Sequence, residues 1–143
     1  MTEFEATLVS INETGLTTQD PTEDVRDREV RDANGAKIGH VKDLLVDEKE
    51  QKVRLIEVAH GGLLGIGESR VLLPVDLITA IDDEAVYFLR DREQVSGAPK
   101  YDPQLVPERE YYDQLFGYYG VAPYWTAGYV YPAYPYLAPG PVR

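Results

Sequence analysis

Between residues 25 and 97, apolar positions come in brief runs separated by charged or glycine-containing turns, which is the signature of short strands. Glu29-Val30-Arg31 leads into Asp32-Ala33-Asn34-Gly35. Asn-Gly is a strong hairpin signal, because both central positions of a type I′ turn need positive φ. The next run, Ile38 to Val46, is apolar at 38, 41, 44, 45 and 46. Its three-residue steps break strict alternation and predict a bulge near Gly39 or a strand bending around a small barrel. A polar turn over 47–52 follows, then a strand rich in branched residues, Val53 to Ala59. The glycine-rich segment Gly61 to Gly67 connects it to Val71-Leu72-Leu73-Pro74-Val75. Pro74 cannot donate to a ladder, so this run is an edge strand or stops near the proline. Asp82-Asp83-Glu84 then turns into Ala85 to Leu89. About five strands joined by tight turns predict an all-β barrel or sandwich, and no connection is long enough for a parallel crossover helix.

Beyond residue 103 the period changes. Tyr112, Leu115, Phe116 and Tyr119 fall at i, i+3, i+4 and i+7 and predict one short helix, weakened by Gly117 and Gly120. Composition then separates the chain into three zones. Residues 1–24 hold six acids and no base, with Leu8, Val9 and Ile11 as their short apolar stretch. Residues 111–143 carry nine of the 11 tyrosines, the single tryptophan and five prolines, against one acid and one base. The net charge of −11 therefore belongs to the first 110 residues. The reading is an acidic extension over 1–24, a compact domain over 25–103, and a short helix followed by a Tyr/Pro/Gly tail over 104–143. Frequent prolines favour extended conformations for that tail, which reads as a disordered extension. An intramolecular proline-binding groove is disfavoured, since Tyr87 and Phe88 are the only aromatics between 25 and 97. A further arrangement has Tyr118-Tyr119 to Trp125 crossing the barrel as an apolar lid or forming an oligomer contact.

The order of these motifs resembles the PRC-barrel domain. Val30 to Val41 is similar to the opening hairpin of that family, and Asp43 to Asp47 with Val53 to Val58 continue the pattern. Gly61 to Gly67, Val71 to Val75 and Ala98-Pro99-Lys100-Tyr101 complete it. The resemblance implies a small six-stranded β-barrel with no enzymatic activity that acts by docking onto other proteins. In that family the barrel forms the cytoplasmic part of the photosynthetic reaction-centre H subunit and the C-terminal domain of a ribosome maturation factor. This chain lacks the membrane helix of the first and the extra N-terminal barrel of the second, so neither specific role carries over.

The residues themselves offer little for catalysis or cofactors. Zero cysteines exclude disulfides, thiolate metal sites, iron–sulfur clusters and a Cys nucleophile. Gly67 is followed by Glu68-Ser69, where a phosphate-binding loop needs Lys and Ser/Thr. The dinucleotide fingerprint fails at Arg70. An EF-hand register on Asp32-Ala33-Asn34-Gly35 puts Val30 and Val41 at its first and last ligand positions, and neither donates oxygen. His40 and His60 lie 20 residues apart, and Ser10, Ser69 and Ser96 sit in no nucleophile elbow. The acids Asp82-Asp83-Glu84, like Asp20, Glu23, Asp24 and Asp27, read as solvated surface. The acidic balance leaves no basic stripe for nucleic acid. No apolar run is long enough for a membrane helix and no basic, apolar leader is present, so the expected address is the cytoplasm.

The expectation is therefore a non-catalytic docking or assembly module without metal or cofactor, whose partner is another protein or a second copy of the chain. A barrel that binds a small ligand or cation in an acidic cleft is the alternative. The candidate contact residues are Leu63, Leu64 and Ile66 on the glycine-rich loop, and Tyr112, Phe116, Tyr119 and Trp125 beyond the barrel.

Overall fold

The computed structural model describes residues 8–13, 16–18, 24–47, 50, 52–61, 69–102, 109–131 and 137–139. Its strands are β1 (Leu8–Ser10), β2 (Leu16–Thr18), β3 (Glu29–Arg31), β4 (Lys37–Asp47), β5 (Lys52–His60), β6 (Ser69–Pro74), β7 (Ile78–Ile81), β8 (Ala85–Phe88) and β9 (Leu137–Pro139). Two helices follow the barrel strands in part, α1 (Arg92–Ser96) and α2 (Arg109–Tyr119). Six strands run in the order β6-β5-β4-β3-β8-β7 and curl into a half-barrel, one more than the apolar runs predict and the number the family resemblance implies, with β1 pairing β4 as a seventh. β3 and β8 pair in parallel, with Val30 opposite Val86, and the intervening strands rather than a crossover helix make the connection.

The opening hairpin departs from the expected type I′ turn. Gly35 has φ +83°, but Asn34 stays out of the left-handed region. The Gly35 N–H donates to the Asp32 carbonyl at 2.9 Å and the Asp32 N–H to the Ala36 carbonyl at 2.9 Å. This is a type I turn closed by a left-handed glycine, selected by the Asp32 side chain. Asp32 Oδ1 accepts the N–H groups of Asn34 and Ala36 at 2.9 Å each, and Oδ2 accepts that of Arg92 at 3.0 Å. The same carboxylate thus shapes the hairpin and ties it to the start of α1. Burial alone would raise its pKa, but the three N–H donors outweigh burial and hold it below the usual range.

A bulge falls beside Gly39, as expected: pairing steps from Val30–Gly39 to Arg31–Lys37, leaving Ile38 as the extra residue on β4. A Cβ on Gly39 would lie 2.0 Å from the Ala59 carbonyl oxygen, so glycine permits the close approach of β4 to β5. Two further bulges lie between β4 and β5. Pairing steps from Val41–Val58 to Asp43–Glu57, leaving Lys42 as the extra residue on β4. It then steps from Leu45–Leu55 to Val46–Val53, leaving Arg54 as the extra residue on β5. Pro74 ends β6, an end strand of the sheet as predicted, and the far side of β6 is bridged from Val71 to Lys100.

The core gathers Val30, Val41, Leu44, Ile56, Val58, Leu73, Val86 and Phe88 with Ile11 from the acidic extension. The helix beyond the barrel joins this same core. Tyr112, Leu115, Phe116 and Tyr119 are each buried, and the Phe88 and Tyr119 rings meet edge to face at 5.7 Å. Gly120 does not weaken α2; it ends it. Its φ is +71°, and the Val121 N–H reaches back to the Phe116 carbonyl at 3.0 Å, the Schellman closure.

Candidate functional site

β5 is buried along most of its length, and Arg54 interrupts its apolar sequence. A charged side chain in such a strand must find partners, since an unpaired buried guanidinium is costly. The bulge turns Arg54 toward the end of the hairpin, where it ion-pairs with Asp47 at 3.2 Å and Glu50 at 2.8 Å. Arg54 and Asp47 are both nearly inaccessible, while Glu50 is largely exposed.

The chain after α2 roofs this arginine. Tyr124, Tyr129 and Tyr131 place their rings 4.6, 5.7 and 5.3 Å from the guanidinium carbon. Three aromatic faces around one desolvated cation form a cation–π cage. Two of the tyrosines are also anchored through their hydroxyls. Tyr129 donates to Asp76 Oδ2 at 2.7 Å, and Tyr131 donates to the Val53 carbonyl at 3.0 Å, beside the bulge. Lys52 sits over the outer part of the arrangement, 5.0 Å from the Tyr131 ring. Burial pushes the Tyr129 hydroxyl up from its ordinary pKa, and the Asp76 carboxylate pushes it further. Burial likewise raises the Tyr124 hydroxyl and the Asp76 carboxyl.

The base of this arm packs on α2. Phe116, Tyr124 and Trp125 contact one another edge to face, at 5.1 to 6.1 Å between centroids, and the Arg109 guanidinium lies 5.6 Å from the Trp125 ring. At the other end β9 pairs with β2, Thr17 opposite Ala138, as a separate two-stranded sheet. The arm therefore leaves α2, crosses β5 and meets the N-terminal extension.

A family model for the PRC-barrel domain matches residues 19–95, more than half of the chain. The chain belongs to the PRC-barrel family. No curated protein matches it. The family match ends before α2 and the arm, so the Arg54 cage is built half from the PRC-barrel and half from chain outside the match.

The candidate contact residues separate on this structure. Tyr112, Phe116 and Tyr119 point inward and fill the PRC-barrel core, so their surface is spent within the chain. Trp125 is half-buried at the base of the arm. Leu63, Leu64 and Ile66 lie outside the described residues. The aromatic segment expected as an extended tail is engaged within the chain as far as Tyr131, because a buried arginine replaces the aromatic groove that was the reason to doubt an intramolecular contact. Arg54, Asp76, Tyr129 and Tyr131 were not singled out from the sequence. The available signal was Arg54 itself, a full charge inside Val53-Arg54-Leu55-Ile56.

The other polar clusters have structural work. Asp43 accepts the Ser10 hydroxyl and the N–H groups of Asn12 and Leu44, holding the extension against β4. Glu57 pairs with Arg70, although burial still raises its carboxyl above the ordinary value. Asp82 accepts the N–H groups of Glu84 and Ala85 at 2.8 Å in a solvated turn. One open polar groove of about 410 Å³ is lined by Asn12, Asp24, Arg26, Asp27 and Lys42. No helix among the described residues is long and apolar enough to cross a membrane.

Proposed function

We propose that this PRC-barrel protein is a non-catalytic docking module of the cytoplasm in which the barrel is a rigid seat and the aromatic arm is the contact element. The observation carrying this reading is the Arg54 cage. Outside the family match, the chain supplies three tyrosines to one buried cation of the barrel, and it leaves Val130 between two of them 83% exposed. An arm anchored by a few polar contacts and carrying an uncovered apolar side chain suits recognition better than it suits catalysis. The partner is a protein, and the acidic charge argues against nucleic acid. Removing residues 123–143 tests this. The truncated chain retains α2 and its cap, so it should stay folded by circular dichroism yet lose partner recovery or self-association. Unchanged sedimentation and pull-down profiles would refute the role of the arm.

The polar groove favours a second reading, a regulatory barrel that takes a small zwitterion or cation, because it presents Asp27 beside Lys42 and Arg26. A ligand bound only by the native state raises the melting temperature. A screen of metals and amino-acid-like metabolites without any shift would end that reading.

A further inference from the structure

We propose that Asp43 and Glu57 form a proton-operated clasp, in which a proton taken up on Glu57 fastens residues 8–12 to the barrel and its loss loosens them. The clasp lies apart from the Arg54 seat and does not depend on the docking reading. Asp43 on β4 and Glu57 on β5 are direct partners in the antiparallel pairing, so their side chains leave the same face of the sheet. Both residues are nearly inaccessible, at 7% and 4% exposure. Like charges directly opposite one another in a sheet are destabilising, and burial removes the water that would screen them. From β6 Glu57 faces Arg70, which pairs with it, and from β4 it faces Asp43 and the exposed Lys42. Arg26 faces Asp43 but is itself paired with Asp24. The residues of the extension that meet Asp43, Ser10 and Asn12, carry no charge. Arg70 answers one of the two buried carboxylates, and a proton is the compact way to neutralise the other.

The two acids have different tasks. Asp43 needs its charge, because it accepts the Ser10 hydroxyl, the Asn12 N–H at 3.3 Å and the Leu44 N–H at 2.8 Å. Through the first two bonds it holds residues 8–12, whose other fixings are Ile11 in the core and three pairing positions between β1 and β4. Glu57 is where the proton belongs. Burial raises its carboxyl above the ordinary value of 4.5, the Asp43 charge raises it further, and Arg70 offsets only part of this. With Glu57 neutral, Asp43 carries its charge unopposed and grips Ser10 and Asn12. With Glu57 ionised, the repulsion is relieved by lifting the extension, which lets water reach Asp43. Docking of the extension and proton binding therefore favour one another by the same factor. Since the folded carboxyl titrates above 4.5, the stabilisation is complete below that pH and fades as pH rises through the raised value.

Amide exchange in the full chain tests the clasp, with the rates of residues 8–12 corrected for intrinsic pH dependence and referred to the amides of β5. The extension should open about five-fold more readily at about pH 7 than at about pH 5, the low end of coupling between two sites. Glu57→Gln, which keeps the shape of the side chain and fixes it neutral, should hold the extension equally at both. Asp43→Asn, which removes the charge that Ser10 and Asn12 address, should open it at both. The reciprocal measurement follows the Glu57 carboxyl itself by carbon NMR. Ser10→Ala weakens docking with both acids in place, and it should bring the Glu57 titration down toward 4.5. This second measurement alters neither acid, so it decides the matter even where Glu57→Gln loses the fold. An opening that is independent of pH in the unaltered protein, or equally dependent on pH in Glu57→Gln, overturns the clasp. So does a Glu57 titration that Ser10→Ala leaves unmoved.

Discussion

The barrel with α2, and the arm that crosses it, are held by different physics. The barrel core is close-packed Val, Leu, Ile and Phe, and α2 inserts Tyr112, Leu115, Phe116 and Tyr119 into it. Removing any of these opens a cavity that the neighbours fill only in part. The arm contributes partly buried Val121, Tyr124, Trp125 and Tyr131 and depends on directional contacts: three rings on one cation and two hydroxyl hydrogen bonds. Apolar packing is cooperative across the whole domain, whereas a few anchors at one place can be released together without unfolding what they rest on. Aromatic residues on the two sides of Gly120 therefore have opposite roles. Before it Tyr112, Phe116 and Tyr119 are core, and after it Tyr124, Tyr129 and Tyr131 are a fastening.

Substitutions can break or sharpen that contrast. The largest effect is expected at Leu115, which is fully buried in α2. Leu115→Ala should cost about 3 kcal/mol of global stability, read as a fall in the denaturation midpoint. A loss confined to local opening near the helix would show that α2 is not part of the barrel core.

Arg54→Ala tests the fastening. It strips the cage of its cation and removes the buried ion pair with Asp47, and such losses run to about 3 kcal/mol. Its distinguishing mark is faster chymotryptic cleavage in the arm while the barrel fragment survives. Arg54→Met should recover part of the stability and leave the arm loose. Equal protease resistance in all three proteins would mean the cage does not hold the arm.

Alkaline pH acts on both regions. Burial raises the hydroxyls of Tyr112 and Tyr119 in the core and of Tyr124 and Tyr129 in the arm above their unfolded value of 10.0. Above that pH the unfolded chain sheds protons that the folded one keeps, so stability falls as pH rises. The chain lacking residues 123–143 should show a shallower decline, and identical slopes would place Tyr124 and Tyr129 in solvent. The smallest expected effect is that of Tyr131→Phe, which removes the bond to the Val53 carbonyl and costs about 1 kcal/mol, confined to the arm. Amide exchange in the arm should accelerate while core amides stay protected.

β3 to β6 and β8 were legible in the sequence because each apolar run is short, branched and bounded by turn residues, whereas the three- and four-residue strands β1, β2, β7 and β9 are too short to show a pattern of their own. α2 was legible from four side chains at helical spacing, and the edge position of β6 from Pro74. Details that depend on a neighbour were not. The bulges at Lys42 and Arg54 follow from pairing between β4 and β5, and the turn at Asp32 follows from a carboxylate that also reaches Arg92. The cage was hidden because its parts lie at 47, 50, 54, 76 and 124–131, and composition alone showed only an aromatic segment rich in proline.

Local pattern by itself determined the all-β class, the longer helix α2 and the division into acidic and aromatic zones, because periodicity and charge belong to consecutive residues, while the five-residue α1 is too short to show a period. Tertiary structure decided what the aromatics do. Whether a tyrosine is core, fastening or free surface depends on what lies opposite it, and only the folded chain brings Arg54 beneath Tyr124, Tyr129 and Tyr131.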